Sequence, residues 1–143
     1  MITPDEQNTL IAAHNDWRAR YNTPPLAWDG NLATIAQNWA DQIAASGNFD
    51  HRPDNQFGEN ISMGTSGAFS AKTVVDGWGA EDANFDRANL SCAPGAECGH
   101  FTQVVWAQTR RVGCGKATGS DGNDYWVCNY DPAGNMAGAS PFE

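Results

Sequence analysis

The chain has few basic residues. It contains 8 Lys and Arg against 17 Asp and Glu in 143 residues, which gives a formal net charge of −9. Nucleic-acid binding depends on clustered cations that neutralise phosphates, so this composition argues against a nucleic acid as partner. No apolar run approaches the roughly 18–20 residues that a membrane-spanning helix requires, so no transmembrane segment is predicted. Repeats and low-complexity tracts are also missing. We therefore predict one acidic domain over residues 1–143.

Cysteine spacing typical of a structural zinc site is absent. The four cysteines include no CxxC pair, which favours disulfides over zinc ligation. Three pairings are open, and the spacing favours a local Cys92–Cys98 loop together with a Cys114–Cys128 bridge between strands. Disulfides indicate an oxidising compartment. We expect a secreted protein whose signal peptide has already been removed.

Three helices are predicted in the first half of the chain. A capping box at Thr3 and Glu6 begins a helix that ends near residue 21. Asp29 caps a second helix, which Gly47 ends. A third helix is predicted to begin near Ser70, although it contains two glycines.

Strand-like segments come mostly later in the chain. Residues 57–63 are the strand-like piece of a polar segment, and residues 100–107 fit either a helical turn or a strand. Residues 111–118 and 124–130 flank a glycine-containing turn, which predicts a hairpin that places the last two cysteines opposite each other. Helices first and strands later are typical of an α+β domain.

Histidine is scarce, so each of the three can be judged singly. His14 lies on the apolar face of the first helix, where a hydrogen-bonded packing role is favoured over a ligand role. His51 lies in a polar loop that requires no imidazole for packing, and His100 begins the apolar run. Glu59 stands between apolar neighbours and Glu81 borders the buried stripe of the third helix, so a buried carboxylate at either position needs partners.

No catalytic nucleophile stands out. The zinc-protease motif H-E-x-x-H is absent, and the serines at 62, 66 and 70 lie in or beside a Gly/Ser-rich loop with no histidine paired to them in sequence. A protease or esterase function would depend on the histidines and glutamates alone.

Several ordered motifs resemble those of the CAP superfamily, which comprises cysteine-rich secretory proteins, insect antigen 5 and plant pathogenesis-related 1 proteins. The segments that carry the resemblance, from about residue 6 to 136, are His14-Asn15 with Arg18, residues 26–29 (LAWD), His51 followed by residues 58–61 (GENI), residues 99–106 (GHFTQVVW) and residues 125–135 (YWVCNYDPAGN).

The resemblance implies an α-β-α sandwich, in which helices cover both faces of a small antiparallel sheet. It also implies a cleft with two histidines and two glutamates, which match His51, Glu59, Glu81 and His100 of this sequence. The same two disulfides, Cys92–Cys98 and Cys114–Cys128, are expected from the family pattern.

This set of four side chains suggests a metal site. Two neutral imidazoles are suitable nitrogen ligands for Zn²⁺ or another divalent cation, and Glu59 and Glu81 would act as water-mediated or weak ligands. Two histidines are fewer protein ligands than a zinc site usually has, so we expect modest affinity. If the site were that of a zinc-dependent hydrolase, either glutamate would be the candidate general base.

Binding functions are favoured over catalysis. The family is associated with sterols and other small hydrophobic ligands, and with defence, virulence or host interaction. The aromatic residues after the third helix depart from the sterol-contact spacing of some relatives, which favours packing for Trp78, Phe85 and Phe101, while a fatty acid between helices stays open. A third alternative is a recognition or signalling ligand that acts on a protein partner and has a vestigial cleft.

Overall fold

The computed structural model describes residues 1–143 and contains four α-helices, a short 3₁₀ helix and two β-sheets. Its elements in chain order are α1 (Pro4–Arg20), β1 (Ala27–Trp28), α2 (Gly30–Ser46), β2 (Gly58–Thr65), α3 (Ala71–Gly79), the 3₁₀ helix (Ala80–Asn84), β3 (Phe85–Asp86), β4 (Ser91–Cys92), α4 (Gly99–Val105), β5 (Arg111–Thr118) and β6 (Asn123–Asp131). None of the helices has the length and apolar character needed to cross a membrane.

The three predicted helices are confirmed, and their ends have the predicted local causes. The Thr3 hydroxyl accepts the Glu6 N–H at 3.1 Å, and the Glu6 carboxylate accepts the Thr3 N–H at 3.0 Å. The Asp29 side chain caps α2, which ends at Gly47 with a φ of 75°, a conformation that glycine adopts without strain. Ser70 caps α3.

The main sheet has the strand order β1-β5-β6-β2, with β1 parallel to β5 and the other pairs antiparallel. The predicted hairpin is β5–β6, and its register places Cys114 opposite Cys128, which form a disulfide. A second disulfide joins Cys92 to Cys98. The ambiguous run at 100–107 is mostly helical, because α4 covers residues 99–105.

Helices cover both faces of this sheet, as the side chains of β6 show. Tyr125 and Val127 pack with Ala36, Ala40 and Ile43 of α2. The alternate residues of the strand point the other way, into the larger core cluster with side chains of α1, α3 and α4; they are Trp126, Cys128 and Tyr130. Alternation along a strand with both faces buried is the signature of a sheet between two helical layers. The predicted α-β-α sandwich is therefore confirmed.

Candidate metal centre

The first half of the site is the pair His51 and Glu59. Glu59 lies on β2 with only 5% of its side chain exposed, whereas the His51 side chain, in the preceding loop, is 62% exposed. His51 Nδ1 lies 2.8 Å from Glu59 Oε1. Because a carboxylate only accepts hydrogen bonds, Nδ1 carries the proton. This hydrogen bond raises the pKa of His51, and burial opposes part of the rise.

Three further donors hold the Glu59 carboxylate in place. The Arg52 backbone N–H donates to Oε1 at 3.0 Å, and the Asn55 and Asn129 side-chain amides donate to Oε2 at 3.2 and 3.4 Å. A carboxylate engaged on both oxygens has a fixed orientation, so the His51 ring is oriented through it.

The second half of the site is the pair Glu81 and His100. Glu81 lies in the 3₁₀ helix that follows α3, and His100 lies in the first turn of α4. His100 Nδ1 donates to Glu81 Oε2 at 2.7 Å, and the backbone N–H groups of His100 and Phe101 both donate to Oε1 at 3.1 Å. The Trp78 ring stacks on the imidazole with 6.1 Å between centroids and 12° between planes. These contacts fix the His100 ring.

Both histidines therefore have the protonation pattern of metal ligands. In each ring Nδ1 donates to a glutamate, which leaves Nε2 as the unprotonated nitrogen of the neutral form. A histidine that binds a metal through one nitrogen commonly donates its other N–H to a carboxylate or a carbonyl. Each imidazole thus has one nitrogen, Nε2, that would suit a divalent cation, while its glutamate accepts the hydrogen bond that positions the ring.

A third acid approaches the second pair. Carboxylate oxygens of Glu97 and Glu81 and a ring nitrogen of His100 all lie within 4.8 Å of one another. His51 and Glu59 lie outside this group, so the ligand atoms of the two His–Glu pairs are not all within that distance. The carboxylate of Glu97 contributes to the raised pKa of His51, although the hydrogen bond that His51 donates to Glu59 is the main cause.

A hydrogen-bond chain connects the site to the core. His14 is fully buried, and its Nδ1 donates to the Leu10 carbonyl at 2.7 Å, so Nε2 accepts from the Tyr130 hydroxyl at 2.7 Å. The Asn60 amide, next to Glu59 in sequence, donates to that hydroxyl at 3.3 Å and to the His100 carbonyl at 3.1 Å. His14 is a packing residue, as its position on the helix predicted.

The aromatic residues named from the sequence pack inside the protein. Trp78 is 4% exposed and Phe101 is fully buried, while Phe85 is partly buried and packs against Phe101. Sequence reasoning missed Glu97, and it also missed the two amides that hold Glu59, Asn55 and Asn129. The one available signal for Glu97 was its place directly before Cys98 and three residues before His100.

Known proteins share both the sequence pattern and the fold. Residues 11–130 match the model of the cysteine-rich secretory protein family, CAP. Pathogenesis-related protein 1B of Nicotiana tabacum is 40% identical over 138 residues, 96% of this chain and 82% of that protein. Pathogenesis-related leaf protein 4 of Solanum lycopersicum is 41% identical over 132 residues, 92% of this chain and 80% of that protein. The crystal structure of NaASP2 with Zn²⁺ superposes with a TM-score of 0.83 at 25% identity, covering 99% of this chain and 87% of that one.

Proposed function

The chain belongs to the cysteine-rich secretory protein (CAP) family, and we propose that it is a secreted, pathogenesis-related member. We also propose that it binds a divalent cation, first of all Zn²⁺, through His51 and His100. One observation carries this proposal: in both histidines a glutamate accepts the Nδ1 proton and leaves Nε2 for a metal. That NaASP2 was crystallised with Zn²⁺ supports zinc as the first ion to test.

Secretion and a role in defence are supported by different observations. The chain has two disulfides and no free cysteine, which is typical of proteins in an oxidising compartment. The similar proteins from tobacco and tomato are named pathogenesis-related. We infer from this that the protein acts outside the cell, in defence or host interaction.

The two glutamates orient the histidines rather than serve as bases. Glu81 accepts hydrogen bonds on both oxygens, from His100 Nδ1 and from two backbone N–H groups, and Glu59 accepts from His51 and three other groups. A general base must reach the proton that it removes, and these carboxylates are already engaged. A bound zinc ion would supply Lewis acidity and lower the pKa of a bound water. The arrangement favours binding over hydrolysis.

Calorimetric zinc titration tests the proposal. We expect the wild-type protein to bind one ion per chain, and His51→Ala to bind at least about tenfold more weakly because one of two imidazole ligands is lost. The largely exposed His51 can be replaced without disturbing the core. Gln42→Ala, which alters the same groove beside His51 without removing a ligand, should bind as the wild type does. Equal zinc binding by the wild type and His51→Ala would refute the proposal.

A small hydrophobic ligand is the second candidate, and one groove favours it. This groove, about 390 Å³ in volume, lies between the N-terminal segment and α2, and its apolar lining includes Ile2, Trp28 and Ala33. If a sterol or fatty acid binds there, a fluorescent analogue should bind saturably and Trp28→Ala should weaken that binding. Absence of saturable binding to both the intact and the reduced protein would exclude this function.

A further inference from the structure

Two segments of the chain have the acceptor motif for N-linked glycosylation, an asparagine followed two residues later by serine or threonine. They are Asn60-Ile61-Ser62, on β2, and Asn89-Leu90-Ser91, which begins in the turn between β3 and β4. The motif has a meaning only in a chain that enters a eukaryotic secretory pathway, so the inference drawn from it rests on the secretion proposed above. The two asparagines have opposite surroundings in the folded protein.

Asn60 has no room for a glycan. The residue is 1% exposed, and its side-chain amide uses both N–H groups inside the protein, one on the His100 carbonyl at 3.1 Å and the other on the Tyr130 hydroxyl at 3.3 Å. An N-glycosidic bond would replace one of these hydrogens with a sugar ring. It would therefore break a buried hydrogen bond and require space for the sugar inside a close-packed interior. A chain glycosylated at Asn60 could not reach this fold.

Asn89 meets the opposite conditions. Asn89, Leu90 and Ser91 are all exposed. The Asn89 amide donates one hydrogen bond, to the Asp86 carboxylate at 2.7 Å. Its second N–H is free to be replaced by a sugar, and the bond to Asp86 can persist afterwards. We propose that Asn89 is an N-glycosylation site of the secreted protein and that Asn60 is not.

The turn that carries Asn89 is anchored at both ends. At its start, the Asp86 carboxylate also accepts two backbone N–H groups of the turn, at 3.0 and 3.2 Å. After it, Cys92 of β4 is bonded to Cys98. Asn89 and Leu90 lie outside the hydrophobic core, so a glycan can extend into solvent without displacing a packed side chain. It would also shield Leu90, a large apolar side chain that is 46% exposed.

The transfer requires a sugar donor that the secretory pathway supplies, an oligosaccharide linked to a lipid through pyrophosphate. The Asn89 amide nitrogen forms a bond to C1 of the first sugar, and the bond between C1 and the pyrophosphate oxygen breaks. The electron pair of that bond leaves with the lipid pyrophosphate. The amide nitrogen loses one proton and keeps the other, so the step needs no oxidant or reductant. Ser91 supplies the hydroxyl that completes the acceptor motif.

Secretion of the 143-residue chain from cultured mammalian cells, behind a cleavable signal peptide, tests this assignment. The wild-type protein in the medium should carry one glycan per chain, which peptide-N-glycosidase F removes with a corresponding loss of mass. This enzyme converts the asparagine that carried the glycan into aspartate. Peptide mass spectrometry should therefore find the conversion at Asn89 and an unchanged asparagine at position 60.

Three serine variants separate the two motifs without altering either asparagine. Ser91→Ala should abolish the glycan and Ser91→Thr should retain it, because serine and threonine both satisfy the motif and alanine does not. Ser62→Ala is the matched control, since it removes the other motif and leaves the buried Asn60 amide in place. It should be glycosylated as the wild type is. Ser91 is exposed, so both of its variants, once deglycosylated, should unfold at the same temperature as the deglycosylated wild type.

The outcomes distinguish the glycan site from the proposed secretion. Folded wild-type protein that is released with both disulfides but without a glycan overturns the assignment of Asn89 and leaves secretion intact. A chain that the cells retain counts against secretion and against the glycan site together. A glycan that persists in Ser91→Ala, or one found on Asn60, would also overturn the assignment.

Discussion

Replacing Arg18 by Met is expected to lower the free energy of unfolding by about 4 kcal/mol. Arg18 is fully buried, and its guanidinium donates only to backbone carbonyls. Nη1 donates to Val104 at 3.0 Å and to Trp106 at 2.8 Å, Nη2 donates to Thr109 at 3.0 Å, and Nε donates to Pro24. Burial lowers the pKa of Arg18 to about 10, so the side chain stays charged at neutral pH.

The size of this effect follows from the number of acceptors left without a donor. Each buried carbonyl that loses its only partner costs about 1–3 kcal/mol, and Met supplies no donor. The Trp106 carbonyl keeps the Thr109 N–H as a partner at 3.1 Å, so the loss comes from the other acceptors. The same hydrogen bonds tie the end of α1 to the end of α4, the helix that carries His100. The loss should therefore also reduce the order of the candidate metal centre.

Urea denaturation measures the Arg18 effect directly. Arg18→Lys should have intermediate stability, because a single ammonium group cannot match the planar fork that reaches four carbonyls. Arg110→Met removes an exposed arginine and should change stability by less than about 0.5 kcal/mol. A loss below about 1 kcal/mol in Arg18→Met would contradict the structural role assigned to this residue.

Stability should fall by about 3 kcal/mol between pH 6.5 and pH 4 because of His14. Burial lowers the pKa of this histidine to about 4, against 6.5 when it is exposed. Between these values the unfolded chain binds a proton at His14 that the folded protein does not bind. The stabilising contribution is therefore complete above pH 6.5 and is lost as the pH falls toward 4.

The test compares the pH dependence of unfolding in the wild type and in His14→Gln, which has no imidazole at this position. The free energy of unfolding of the wild type should fall by about 3 kcal/mol relative to that of His14→Gln from pH 7 to pH 4. The contribution of His51 to stability has the opposite pH dependence. Its hydrogen bond to Glu59 raises the pKa of His51, so this contribution is present at low pH and is lost as the pH increases. Introducing His51→Ala into both proteins removes the contribution of His51 to the pH dependence. Parallel curves for the two proteins would show that His14 is not buried in its neutral form.

Local sequence signals predicted the ends of the helices and the register of the hairpin well. Caps act within three or four residues, so Thr3, Asp29 and Ser70 could be recognised from their neighbours alone. The run at 100–107 was ambiguous because a short apolar segment is compatible with either a helical turn or a strand. Its helical form follows from packing between α1, α3 and the sheet, which periodicity does not describe.

The pairing of the site residues could be predicted only in part. The motifs identified His51, Glu59, Glu81 and His100, but the direction of each hydrogen bond depends on side-chain geometry that emerges on folding. The position of Glu97 could not be predicted, because the path of a disulfide-closed loop brings it near His100. The close approach of α2 to the sheet could not be predicted from the sequence either. It depends on Gly113 and Gly115, where a Cβ would overlap the helix backbone.

Anomalous diffraction at the zinc absorption edge, from crystals grown with Zn²⁺, tests the central proposal most directly. We predict one strong peak per chain, with the Nε2 atoms of His51 and His100 both about 2.0–2.1 Å from it. Glu59 and Glu81 should keep their hydrogen bonds to the two Nδ1 atoms. Zinc bound only to acidic surface groups, with both imidazoles unligated, or no peak at all, would contradict the assignment of this cleft as a metal centre.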